Sequence, residues 1–445
     1  MTTLAGACTT ATGLAARTRG FEVPGGRRPD LLAAAGRDGR LWWRDGGGLA
    51  GVGEALRIRL PDGLADAGGV RAAGAALAAV TADDEVRLPG TGAVGLGALP
   101  FGRQAPAELV VPAALVGWNG RQAWVTTVSP AGDTGRAEAL ARVAVAAALG
   151  RAPAEDSPPA PDEFRLSPAR PHAEWQALVA DTVRRIRAGE LAKVVLARRV
   201  DVTANRDLPT SEIVERLIAL YPSCMVFRMG VSRMGGLGAG TFLGASPELL
   251  VSRRGEAVAS HPLAGTVARS GDAAADRTLV EGLRASVKER AEHAFVVDAL
   301  RDRLGPLCEE LTIPDVPSVL ELRNVSHLET RITGRLRAGR ERPTALQLAA
   351  ATHPTPAVGG TPNAAACAYL AEVEGFDRGP YAGAVGWVDA AGDGDWAVGI
   401  RSATVDGQRA SLFAGVGVVA DSDPAAELAE TQLKLQALLA AVVRP

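Results

Sequence analysis

Trp175, Leu178, Val179, Val183 and Ile186 fall three or four positions apart with polar residues between them. That spacing predicts an amphipathic helix, ended by "AGE" at 188–190. The next apolar run, "KVVLARRV" at 193–200, is short and β-branched and reads as a strand. Beyond it the pattern predicts strands near 225–230, 241–252, 382–390, 396–406 and 410–420, and helices near 209–220, 274–304, 343–350, 363–372 and 424–442. This mix is not a regular βαβ repeat, and it favours an α+β fold over a doubly wound sheet. Residues 1–150 read as short strands and turns, such as "GRLWWRDGGG", closing on an Ala-rich helix near 136–149. The segment "RAPAEDSPPAPDEFRLSPAR" at 151–170 is rich in Pro and charge, as a surface connection is. It divides the chain into an N-terminal α/β region, 1–165, that packs on a main region, 166–445.

Two helices break the apolar order on their inward faces. In "SDPAAELAETQLK", 422–434, Asp423 is an N-cap candidate and Pro424 a first helical residue. At about 100° per residue, Glu427, Glu430 and Lys434 then lie within roughly 60° of one another, on a stripe that continues into Leu438 and Ala441. An i,i+4 salt bridge from Glu430 to Lys434 on a solvated face is one reading. The second pair sits in "SVKERAEHAFVVDAL", 286–300, where Glu289 and Glu292 are three apart and Glu292 shares its stripe with Val296 and Leu300. Two inward Glu-x-x-Glu pairs are costly unless a cation neutralises them. Carboxylates without accompanying cysteines favour a hard ion, and Mg²⁺ fits best. In that cluster of like charges, removing one carboxylate should leave the protein as stable or more so.

Composition narrows the function class. The chain has 445 residues, 47% hydrophobic and 22% charged, as an ordinary globular protein does. A net charge of −2 with no basic block argues against nucleic-acid binding. No apolar run is long enough for a membrane span, and the first twenty residues lack a signal peptide's pattern. Cys8, Cys224, Cys308 and Cys367 form no CxxC pair, which suits a reducing cytoplasm and argues against zinc or a disulfide framework.

Single polar residues stand in the turn-rich segments. Glu248 follows a Ser-Pro turn in "GASPELLVS", and Arg401 sits in "GIRSATV", where an inward arginine suits a carboxylate partner. Glycines in "HPLAGT" (261–266) and "GVGVV" (415–419) let backbone N–H groups approach an anion. "ATHPTPAVGGTP" at 351–362 is a Pro/Gly loop. Lys193 shares a face with Val195 and Ala197, as an edge-strand charge or as a desolvated base; the pattern by itself favours the edge charge.

The ordered run "KVVLAR … SPELL … HPLAGT … SVKERAEH … HLET … HPTPAVGGTP … GWVDAAGDGDWAVGIRSA … AGVGVVADSDPAAELAETQLK" resembles the chorismate-utilising enzymes. These are the isochorismate synthases, the salicylate synthases and the large subunits of anthranilate and aminodeoxychorismate synthases. The resemblance covers roughly residues 170–440. It implies one intertwined α+β domain of two stacked antiparallel sheets, helices outside and a deep cleft, and it implies Mg²⁺. Amine-transferring members lack a lysine at the position of Lys193, whereas water-adding members use it as general base. Ala264 stands where aminodeoxychorismate synthases carry a lysine. The loop with Ala357 resembles that of isochorismate synthases, with salicylate synthase as the alternative. The chain departs from the family in "KER", in Leu428 where an aromatic is frequent, and in the "GVSRMGGLGAG" turn at 230–240.

The implied reaction adds water at ring carbon 2 of chorismate and expels the hydroxyl of carbon 4, giving isochorismate. By the same resemblance Lys193 is the base and Glu248 the acid. Mg²⁺ on Glu289, Glu292, Glu427 and Glu430 takes the ring carboxylate, with Lys434 and the backbone at Gly265 and Thr266. Arg401, Tyr381, Gly415 and Gly417 hold the pyruvyl carboxylate, and His327 sits by the ring or is a satisfied core histidine. A non-catalytic Mg²⁺- or carboxylate-binding protein on the same scaffold is the rival from another class. The expected setting is a cytoplasmic monomer without a glutaminase subunit, in menaquinone or siderophore biosynthesis.

Overall fold

A computed structural model describes residues 11–151, 159–232, 240–339 and 342–443. Residues 152–158 of the Pro-rich connection, and most of the 230–240 turn, lie outside the described residues.

Two large sheets organise the described residues. One carries, in order, Lys193–Ala204, Arg409–Val418, Ser402–Asp406, Gly240–Ser246, Met225–Val231, Arg40–Arg44, Gly47–Val52 and Ala114–Trp118. The other runs through Ala257–His261, Leu249–Arg254, Gly394–Val398, Ala384–Asp389, Val94–Leu99 and Ala107–Val111. Pairing is antiparallel among the described residues except where Leu14–Phe21 runs parallel to Thr81–Asp84. The sheets face each other across an apolar layer in which Trp42, Trp124, Phe227 and Phe242 meet Leu96, Leu249, Val385 and Trp387. Helices cover both outer faces. Thr210–Leu220 and Pro424–Val443 lie on the first sheet through Ile213, Leu217, Leu435 and Leu438. Ala67–Ala78, Val287–Leu304 and Ala345–Thr352 lie on the second through Leu77, Val296 and Leu346. Alternating strands thus bury both faces, one on the other sheet and one on helices.

Strands from either side of residue 165 are neighbours in both sheets. Trp43 pairs with Val226 in the first, and Gly97 with Gly386 in the second. The N-terminal region therefore supplies interior strands of the same two sheets.

Three expected elements are split, each for a local reason. The 274–304 helix is two, Ala273–Ala285 and Val287–Leu304, because the Ser286 side chain caps the second by accepting from the Glu289 N–H at 3.2 Å. The 241–252 strand is Gly240–Ser246 in the first sheet and Leu249–Arg254 in the second, broken at Pro247 and Glu248. The 396–406 strand is likewise Gly394–Val398 in the second sheet and Ser402–Asp406 in the first, broken at 399–401. In both places the chain passes from one sheet to the other.

Candidate active site

The two crossings run side by side and each contributes one charged residue. The Val398 N–H donates to the Glu248 carbonyl at 3.0 Å, and the Ala245 N–H to the Arg401 carbonyl at 3.1 Å. Glu248 is 3% exposed. Burial pushes its carboxyl up to about 8, against the opposing pull of the Leu263 N–H, Lys193 and Lys434. Arg401 sits at φ 51, an unusual backbone for a side-chain-bearing residue. Its side chain reaches His327 on a third, smaller sheet.

A small third sheet closes one side. Leu263–Ala268 pairs with Val325–Glu329 and is bulged at Gly265, whose φ is +74. A β-carbon at Gly265 would lie 3.0 Å from Glu289 Oε2, so only glycine lets the strand come this close. The bulge frees the Thr266 N–H to donate to Glu289 Oε2 at 3.2 Å. His327 on the neighbouring strand is held through both nitrogens. Arg401 Nη2 lies 3.1 Å from Nε2, and the Gly265 carbonyl 3.1 Å from Nδ1. A guanidinium only donates, so Nε2 accepts and the proton sits on Nδ1. Burial, then Arg401 and Lys434, hold this imidazole well below its ordinary range, hence neutral. His327 therefore borders the site as a satisfied histidine that orients Arg401.

The two Glu-x-x-Glu helices meet across the opening. Asp423 caps the C-terminal helix through the Ala425 and Ala426 N–H groups, as its sequence predicts. Lys434 Nζ is 2.7 Å from Glu430 Oε1 and donates to the Gly415 carbonyl at 2.9 Å. The i,i+4 salt bridge is thus real, and it lies in the pocket wall rather than on a solvated face. Glu427 faces Lys288 Nζ at 3.5 Å. Burial first, then neighbouring carboxylates, raise Glu289 and Glu427 above the ordinary carboxylate range, with Glu292 and Glu430 acting on both.

Lys193 is fully buried and lies inside the sheet, which removes the edge-charge reading. Its Nζ is 2.9 Å from Glu292 Oε1, an ion pair without hydrogen-bond alignment. The pair passes over Gly417, where a β-carbon would overlap Glu292 Oε1 and come within 3.1 Å of Lys193 Cε. Gly417→Ala should therefore part the two side chains, cut turnover by about 100-fold and lower the melting temperature, since the buried ammonium loses its partner. Steady-state rates and thermal melts on the purified variant check this.

One pocket is bordered by Glu248, Gly265, Thr266, Glu289, Glu292, His327, Ala357, Tyr381, Arg401, Gly415, Gly417, Glu427, Glu430 and Lys434. Lys193 alone of the expected residues stands behind this wall, reaching it through Glu292. Tyr381 stacks on Phe413 at 4.9 Å, and a β-carbon at Gly415 would lie 2.9 Å from its hydroxyl. Sequence reasoning missed Lys288, Val195, Ile400 and Phe413, which also border the pocket. The signal for Lys288 was its place beside Glu289, one helical step from the acidic stripe.

The donor set suits a hard cation, since it offers carboxylate oxygens that repel one another. Among the described residues, however, no three of His, Cys, Asp or Glu converge as a ligand group. Each carboxylate has turned to the nearest positive partner or N–H: Glu292 to Lys193, Glu427 to Lys288, Glu430 to Lys434 and Glu289 to Thr266.

Comparison with known proteins places this geometry. The profile of the family described as "Chorismate binding enzyme" matches residues 37–443. A Mycobacterium tuberculosis protein provisionally named isochorismate synthase MenF is 42% identical over 356 residues, 79% of this chain and 87% of that one. Isochorismate synthase DhbC of Bacillus subtilis is 40% identical over 280 residues, 63% of this chain and 70% of its own. The solved structure of MenF, the menaquinone-specific isochorismate synthase of Escherichia coli, superposes with a TM-score of 0.76 at 25% identity, covering 97% of this chain and 95% of that one. Among the described residues no helix is long and apolar enough to cross a membrane.

Proposed function

The chain belongs to the chorismate-binding enzymes, and from that membership we propose that it is an isochorismate synthase: it adds water at ring carbon 2 of chorismate and releases the carbon 4 hydroxyl. The observation that carries this reading is a buried glutamate in the pocket wall, Glu248, whose carboxyl burial pushes up to about 8, together with a buried lysine, Lys193, that reaches the same wall through Glu292. Lys193 takes the proton from the attacking water as the neutral amine, so its ion pair to Glu292 must open and the ammonium must give up one proton before it does. Glu248 gives its proton to the departing hydroxyl. Arg401, oriented by His327, holds the pyruvyl carboxylate with Tyr381 and the backbone at Gly415 and Gly417.

Glu289, Glu292, Glu427 and Glu430 would hold Mg²⁺, directly or through water. The ion supplies positive charge to the ring carboxylate. Lys434 and the backbone at Gly265 and Thr266 complete that end. Because water is the nucleophile, no ammonia-supplying subunit is needed, and we read the protein as a cytoplasmic monomer.

Purified protein incubated with chorismate and Mg²⁺ tests the assignment. Isochorismate is the expected product. Fluorescent salicylate accompanied by pyruvate would move the chain to the salicylate synthases. The acid also sets a pH dependence. Glu248 carries its proton below about 8 and loses it above, so kcat should fall as pH rises through that value. A kcat that stays level or climbs from pH 7 to 9 would remove Glu248 from the acid's role.

A further inference from the structure

Among the described residues, one edge of the Lys193–Ala204 strand has no strand beside it between residues 195 and 199; backbone reaches it only at the two ends, where the Val195 N–H donates to the Gly359 carbonyl and the Ala169 N–H to the Arg199 carbonyl, each at 2.9 Å. Gly360–Thr361 pairs with Lys193 and Val194, and Phe164–Pro168 pairs only from Val200 onward. Two side chains fill this gap. The Ala197 N–H donates to Glu374 Oε1 at 2.8 Å, and Arg378 Nη2 donates to the Val195 carbonyl at 2.6 Å. The same guanidinium is bound to Glu374 through both of its carboxylate oxygens, at 2.6 and 2.7 Å. Its Nη1 donates to the Val358 carbonyl at 2.8 Å, next to Ala357 in the pocket wall. It also lies 4.3 Å from the Phe101 ring centroid, and Phe101 accepts from His353 Nε2 at 2.9 Å through its carbonyl. Both side chains are buried, at 3% and 4% exposure.

We propose that Glu374 and Arg378 are positioning residues for the reaction: their buried ion pair takes the place of a missing strand and sets the strand of Lys193 and the loop of Ala357 against each other. The inference rests on the isochorismate synthase reading. Burying a charge pair is expensive, and an apolar plug would fill the same volume at less cost. A plug could not accept from Ala197 while donating to Val195 and Val358, so the pair gives direction as well as bulk. Neither residue borders the pocket. Of the groups assigned to the substrate's carboxylates, the charged ones, Arg401 and Lys434, stand on other elements, whereas Gly417 and Gly415 pair with Val195 and Ala197 and the Tyr381 ring lies 5.9 Å from the Arg378 guanidinium. Loosening the pair should therefore shift the base and the Ala357 loop while the two charged holders, Arg401 and Lys434, keep their own partners.

Arg378→Lys keeps the charge but cannot reach Glu374, Val195 and Val358 together. Glu374→Gln keeps the shape and loses the charge. Both variants are assayed beside the wild type for kcat, KM and melting temperature. The expected result is a kcat lower by about 30-fold or more with KM within about threefold of wild type, since a displaced catalytic group costs rate before binding. Should Arg378→Lys not fold, Glu374→Gln carries the same test. A kcat within about twofold of wild type, with only the melting temperature lowered, would make the pair purely structural and overturn the proposal. So would a KM that rises in step with the fall in kcat. A wild type that makes no isochorismate would instead overturn the functional reading itself, so the two failures are distinguishable.

Discussion

Lys193→Ala should lose turnover of chorismate by about 1,000-fold while still binding it. The side chain is fully buried and reaches only the pocket wall at Glu292, so the substitution leaves Arg401, Lys434 and the backbone at Gly415 untouched. Those groups hold the two substrate carboxylates in the proposed scheme, and their partners are His327, Glu430 and one another rather than Lys193. What disappears is the fully buried amine behind Glu292, to which the scheme assigns the base's role. Calorimetric titration of the variant with chorismate should then give an affinity near wild type, and the product assay should give almost nothing. A variant that keeps near-normal kcat would reduce the lysine to a partner for Glu292 and void the mechanism.

Glu292→Ala should be inactive and also less stable, whereas Glu430→Ala should be inactive and melt close to the wild type. The sequence suggests otherwise, because removing either carboxylate from a cluster of like charges relieves repulsion. The structure separates the two. Glu292 is the partner of an ammonium with no exposure at all, and without it Lys193 is buried alone. Breaking a buried pair in this way costs about 3 kcal/mol or more. Lys434 is 15% exposed and keeps the Gly415 carbonyl when Glu430 is gone. Thermal melts of both variants decide: if Glu292→Ala melts at or above the wild type, the pair with Lys193 does not carry the buried charge.

Much of the site was legible because its residues sit in short, ordered motifs whose chemistry is local. Glu248 after Ser-Pro, Gly265 in a bulge, and two helices with Glu-x-x-Glu can each be read within ten residues. The C-terminal stripe was read as a salt bridge on a solvated face or as a site for a metal and its substrate; Glu430 and Lys434 do pair, and the pair borders the pocket. The capped break at Ser286 also had a signal, since Ser286 stands three before Glu289 in the capping pattern. The strand breaks were harder. Pro247 marks a turn, but no local pattern says that the chain changes sheets there, because that depends on which distant strands pair. The same holds for the interior place of Arg40–Arg44 and Val94–Leu99, each of which has one of its two partner strands more than a hundred residues away. Glu374 and Arg378 carry no local signal, standing four apart just past the end of the Asn363–Val373 helix. Only the tertiary fold buries them, under Phe101 and against an unfilled strand edge.

The central claim is that water, from solvent, becomes the carbon 2 hydroxyl of the product. Turnover of unlabelled chorismate in H₂¹⁸O with Mg²⁺, followed by mass spectrometry and NMR of the product, tests it most directly. The account predicts isochorismate carrying one ¹⁸O, located on ring carbon 2, and it predicts no anthranilate when ammonium is added at high concentration. Isochorismate without the label, or anthranilate formed in its place, would contradict it.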